Sequence, residues 1–191
     1  MQAFLVSTGV VALAEIGDKT QLLAFILAAR YKRPWPIIAG IFCATIVNHA
    51  LAGLLGAWIT SFIEPAMLRW ILGLSFIAMA AWMLVPDKLD EDNTPSPARL
   101  GVFGVTLIAF FLAEMGDKTQ VATVALAANY ASVVGVVMGT TLGMMIANVP
   151  AVLLARKFVE RVSMKLVHGV AAVIFAVLGV LALFGVGRNL L

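Results

Sequence analysis

Hydrophobic residues run along this chain in long blocks rather than in alternation. Six blocks are long enough to cross a bilayer, which takes about 20 residues as helix: 2–30, 34–63, 66–85, 99–129, 132–155 and 163–186. The pattern therefore predicts an all-α polytopic membrane protein with six transmembrane helices. The first and fourth blocks are longer than a straight span needs, so they must tilt or break. Pro34 and Pro36 suit the start of the second helix, and Pro65 the start of the third. Only residues 86–98 read as a soluble linker, with Asp87, Asp90, Glu91, Asp92, Pro95 and Pro97 in one short run.

The polar positions inside the apolar blocks repeat. Glu15-Ile16-Gly17-Asp18-Lys19-Thr20-Gln21 returns as Glu114-Met115-Gly116-Asp117-Lys118-Thr119-Gln120, 99 positions later. The same offset matches Leu27-Ala28-Ala29 with Leu126-Ala127-Ala128, Tyr31 with Tyr130, and Gly40 with Gly139. The chain thus divides into a first three-helix repeat (1–85), an acidic linker (86–98) and a second three-helix repeat (99–191). Three spans per repeat is an odd number, so the second repeat enters the membrane from the opposite side. A 3+3 inverted repeat of this kind is common among secondary transporters, which bind substrate near the midplane.

Cationic side chains orient the spans. Arg30, Lys32, Arg33, Lys88, Arg99, Arg156, Lys157, Arg161 and Lys165 fall at the first, third and fifth loops, against Arg69 and Arg188 on the other side. Nine against two puts the odd loops and the acidic linker in the cytoplasm and both termini outside. Trp35, Trp58, Trp70 and Trp82 lie near predicted span ends, where indole rings anchor at the interface.

Composition agrees. The chain is 62% hydrophobic and 12% charged, with a mean hydropathy of +1.04. A net charge of +3, gathered at helix ends, fits orientation in a lipid bilayer and not binding of nucleic acid. Cys43 is the single cysteine, which excludes an intrachain disulfide. The first residues lack the basic n-region of a signal peptide, so the first block reads as a retained helix.

The two cassettes carry the chemistry. Each charge at the centre of a spanning helix costs about 2.5–3.5 kcal/mol, so Glu15, Asp18, Glu114 and Asp117 together approach about 10 kcal/mol before compensation. Glu15 and Asp18 stand at i and i+3 and share a helical face. Gly17 and Gly116 sit between the carboxylates, where unwinding would free backbone carbonyls and re-aim Thr20, Thr119, Gln21 and Gln120. The ligand set is all oxygen, which suits hard divalent cations better than zinc or copper. Lys19 and Lys118 would balance charge in the absence of metal. The bland alternative is that Asp18–Lys19 and Asp117–Lys118 are ion pairs that only pin helices. It explains neither the glutamates nor the repeated Thr and Gln.

Two copies of E-x-G-D-K-T, one in the first helix of each half, resemble the calcium/manganese:cation antiporter family, which includes Golgi manganese/calcium transporters and bacterial manganese exporters. The resemblance covers the whole chain in span count and central acidic loop. It implies a multi-pass protein of the cell (inner) membrane that exports Mn²⁺, or next Ca²⁺, in exchange for protons. On that reading Glu15, Asp18, Gln21, Glu114, Asp117 and Gln120 hold the ion, which is cargo; no cofactor is expected. Asn48, His49 and Asn148 lie at equivalent depth in the second and fifth spans and would support the site or simply tie helices together. A passive cation channel or uniporter is the rival reading. No nucleophile or His-rich metal motif marks the chain as an enzyme, and neither His49 nor His168 forms one. Whether two copies associate as a homodimer is left open.

Overall fold

The computed structural model describes residues 1–84, 100–154 and 164–184. The acidic linker falls outside them, as do Lys88, Arg99, Arg156, Lys157, Arg161 and Arg188 of the charge bias. Among the described residues the protein is all-helical: α1 (Gln2–Glu15), α2 (Lys19–Tyr31), α3 (Pro34–Thr60), α4 (Pro65–Met83), α5 (Gly101–Glu114), α6 (Lys118–Asn129), α7 (Val133–Leu153) and α8 (Met164–Phe184).

The first and fourth blocks break, and they break at the cassettes. Ile16 and Met115 take extended backbone, and Gly17 and Gly116 follow with φ of 87° and 74°. That left-handed region costs a residue with a Cβ about 1–2 kcal/mol. Asp18 and Asp117, again extended, start α2 and α6. Proline opens α3 and α4, as the sequence leads one to expect. α3 and α7 are each long and apolar enough to cross a membrane unaided. The halves of the broken blocks are too short to do so singly, because the glycine elbow cuts each run in two.

Packing joins the two repeats. α1 lies mainly on α7, α5 and α6 on α3, and α4 on α8. Two apolar cores result. One takes Ala3, Val10 and Ala14 of α1 and Ala122, Ala125, Leu126 and Ala127 of α6, backed by Leu72, Phe76 and Met79 of α4 and Phe175 of α8. The other takes Ala24, Leu27 and Ala28 of α2 and Val105 and Phe110 of α5, with Ile37, Ile41, Ala44, Ala151 and Val152 of α3 and α7. At each elbow the chain passes from one core to the other. Large apolar side chains also cover the outside, including Trp35, Leu54, Trp58, Trp70, Leu74, Val134 and Val173. So extensive an exposed apolar surface suits hydrocarbon and not water.

Candidate cation site

The elbows place each glutamate on the last residue of one short helix and each aspartate just before the next. Helix C-termini present unpaired carbonyls and partial negative charge, and N-termini the reverse. Asp18 and Asp117 are thus favoured where they stand, whereas Glu15 and Glu114 add negative charge to a negative end. Such a pair of ends invites a cation.

All four carboxylates are buried, together with Thr20, Gln21, Lys118 and Thr119. Carboxylate oxygens of Glu15, Glu114 and Asp117 come within 4.8 Å of one another. Asp18 stands outside that trio and faces Lys118 Nζ at 3.9 Å. Lys19 Nζ lies 2.9 Å from Asp117 Oδ1. Each lysine therefore reaches the aspartate of the other cassette. These pairs join the two halves, whereas the bland alternative placed each pair within one cassette. The reason is steric: Asp and Lys at consecutive positions project in different directions, while the two elbows face each other.

The neutral groups divide their tasks. Thr20 Oγ1 donates to Glu15 Oε2 at 2.5 Å, and Thr119 Oγ1, from the other cassette, donates to Glu15 Oε1. Both Glu114 oxygens and Asp117 Oδ2 are buried without a hydrogen-bond partner among the described residues. The sequence pattern puts Gln21 and Gln120 among the ion ligands. In the structure their side-chain oxygens accept from the elbow amides: Gly17 N–H to Gln21 Oε1 at 2.9 Å and Gly116 N–H to Gln120 Oε1 at 2.8 Å. Unwinding strips those amides of helical partners, and the glutamine one turn on satisfies them. Gln21 Nε2 also donates to the Ala147 carbonyl of α7 at 2.9 Å.

Asn48 Nδ2 donates to the Phe111 carbonyl at 3.1 Å, one turn before Glu114. Asn148 stays within α7, donating to the Met144 carbonyl at 3.1 Å. His49 is fully buried, and neither ring nitrogen has a partner among the described residues. The carbonyls of Ala147 and Phe111 could not be read from sequence, since every residue carries one.

A buried carboxylate cluster held at paired helix breaks inside an apolar, all-helical body defines the class: a membrane protein built to handle cations. Comparison with known proteins narrows it. The family model described as divalent cation/proton antiporter GDT1 matches residues 3–91 and 102–189, and the chain belongs to that family. It is 48% identical over 185 residues to a protein of Vibrio cholerae described as a candidate manganese exporter, covering 96% of this chain and 92% of the relative. It is 30% identical to a GDT1-like protein of Synechocystis, covering 95% of this chain and 97% of the relative. GDT1-like protein 5 of Arabidopsis thaliana is 28% identical, with 96% of each chain covered. No solved structure matches the chain. The family is one of antiporters, not of enzymes.

Proposed function

We infer that the protein exports Mn²⁺ from the cytosol in exchange for protons, with Ca²⁺ the next cargo. The observation that carries this reading is the convergence of Glu15, Glu114 and Asp117, one carboxylate from the first cassette and two from the second, within 4.8 Å in a buried layer. Glu114 has both oxygens available, and Glu15 is aimed by two threonine hydroxyls, so these two would take the ion first. Carboxylate and hydroxyl oxygen suit Mn²⁺ and Ca²⁺; Mg²⁺ gives up its waters reluctantly and makes a poorer dehydrated cargo. The Vibrio cholerae relative favours manganese.

On this reading Asp117 and Asp18 complete the shell, each turning from its crossed lysine to the ion. Lys19 and Lys118 supply positive charge between ions, and Gln21 and Gln120 shape the elbows. Proton exchange follows from electrostatics: acidic groups crowded in a dry layer repel one another, and either a divalent ion or protons relieve that repulsion. Metal and proton then compete for the same oxygens. The six spans would form an inverted 3+3 repeat, each elbow within a broken span, with the linker in the cytoplasm and both termini outside. Packing of each broken block on the long helix of the other half agrees with that arrangement.

Reconstitution tests it. Proteoliposomes should take up Mn²⁺ in preference to Ca²⁺, and both over Mg²⁺, with opposing proton movement read by an interior dye. Mn²⁺ flux with no proton movement would leave a uniporter.

A further inference from the structure

The two repeats make equivalent helix contacts at opposite ends of the molecule, and glycines differ between those ends. The equivalence is close at one pair. A Cβ added to Gly40 of α3 would meet Thr106 Cβ at 2.8 Å and the Phe103 carbonyl at 2.9 Å; one added to Gly139 of α7 would meet Ser7 Cβ at 3.0 Å and the Phe4 carbonyl at 2.5 Å. Gly40 and Gly139, Thr106 and Ser7, and Phe103 and Phe4 are each 99 positions apart. α5 therefore sits on α3 in the manner in which α1 sits on α7.

The next turn breaks the symmetry. Gly143 of α7 is in backbone contact with α1, where a Cβ would meet the Thr8 carbonyl at 2.7 Å and Ala12 N at 2.8 Å. Its counterpart on α3 is Ala44. Gly53 of α3 lies under Val137 and Val133, where a Cβ would meet Val137 Cγ2 at 2.8 Å. The counterpart of Gly53 is Val152. Both glycines serve the α1/α6 end, and both bulkier residues belong to the core of the α2/α5 end. Among the described residues that second core also draws no buried residue from α4 or α8, which back the first.

Coverage of the cassettes follows the same division. Met115 and Gly116 are exposed where Ile16 and Gly17 are half-buried, and Lys19 is 22% exposed where Lys118 is 4%. Met115 adjoins Glu114, whose buried carboxylate oxygens have no partner among the described residues.

We propose that Gly143 and Gly53 hold the α1/α6 end shut, so that the buried carboxylates open first toward the α2/α5 end. This rests on the reading of the protein as a carrier that exposes one site to each side in turn. In the alternate state the contacts trade places: α5 closes on α3 and α1 loosens from α7. Gly143 then faces the roomier contact that Ala44 has now, and Ala44 faces the tight one. Glycine at 143 with alanine at 44 thus favours the present state over its mirror. By the cationic bias the α2/α5 end faces the cytosol, the side from which an exporter loads.

Hydrogen–deuterium exchange of the full-length protein, with no added divalent ion, tests the proposal. In the wild type, peptides of α2 and α5 should exchange faster than those of α1 and α6. Gly143→Ala removes the Gly143/Ala44 difference between the ends and should raise exchange several-fold in α1 and α6 while lowering it in α2 and α5. Ala44→Gly, which adds no bulk and keeps the test alive if the first variant folds poorly, should shift both pairs in the same directions. Exchange rising in all four helices alike, or unchanged in both variants, overturns the proposal. Mn²⁺ flux through the same variants reports on the transport reading separately: flux with no opposed exchange shift sinks only the glycine lock, and an opposed shift without flux sinks only the cargo.

Discussion

Glu15 and Glu114 occupy equivalent places in the two cassettes, yet their surroundings differ. Glu15 accepts from two threonines, one of them from the other half, whereas Glu114 accepts from no group among the described residues. Glu15→Gln and Glu114→Gln should each abolish most Mn²⁺ flux in proteoliposomes, because each half supplies part of the site. They should part company in stability. Glu114→Gln breaks no threonine bond, while Glu15→Gln leaves a single acceptor oxygen for two hydroxyls. Thermal melting should therefore fall further for Glu15→Gln, by roughly one hydrogen bond or about 1 kcal/mol. Wild-type flux through either variant would end the shared-site reading. The crossed lysines give a second prediction at this scale. A double-mutant cycle on melting should couple Lys19→Met to Asp117→Asn, within the range of about 0.5–3 kcal/mol seen for contacting residues, and more strongly than to Asp18→Asn. The reverse order would return Lys19 to its sequence neighbour.

At the level of the element, the glycine elbow decides what the apolar block becomes. Gly116 has φ of 74°, and a Cβ added there would meet nothing within 4 Å, so Gly116→Ala brings backbone strain and no clash. The expected cost is about 1–2 kcal/mol, read as a lower melting temperature in detergent. Gly9 supplies the control, since it lies within α1 at ordinary φ with equally open space. Gly9→Ala should stabilise by about 0.5–1 kcal/mol, the usual gain of alanine over glycine inside a helix. Equal effects at the two positions would mean that the elbow is not held in its left-handed form.

For the whole molecule, sidedness and coupling are the quantities to measure. A cysteine at Ser96 of the acidic linker, placed in a Cys43→Ala background, should resist impermeant thiol reagents in intact cells and react after permeabilisation. Reaction in sealed cells would invert the protein and turn export into import. Coupling has its own sign. If, as proposed, protons compete with the divalent ion for the carboxylates, Mn²⁺ affinity should fall as pH is lowered, and an outside-acid gradient should drive Mn²⁺ out of the cytosol. An affinity flat from mildly acid to mildly alkaline pH would remove proton exchange from the account.

Much of this was open to a reader of the sequence, because the signals are local or repeat. Block hydrophobicity marks helices, proline marks their starts, and a seven-residue stretch recurring 99 positions apart, changed only from Ile16 to Met115, marks both the duplication and the carboxylates. Gly17 and Gly116 even mark where the helices break, since an unwound turn needs a residue free to take positive φ. Tertiary structure decided the partners. Lys19 meets Asp117 of the other cassette, Thr119 reaches Glu15, and Gln21 turns its oxygen to Gly17 and its amide to Ala147. Each of these choices depends on how the two elbows face each other across the bundle, and sequence spacing along one helix carries no information about that distance. Gly143 and Gly53 show the limit most plainly. In sequence the spacing of Gly139 with Gly143, and Gly53 with Gly56, already marks close helix packing; only the backbone of α1 and the side chains of α7 pressed against Gly143 and Gly53 show which neighbours a Cβ would meet.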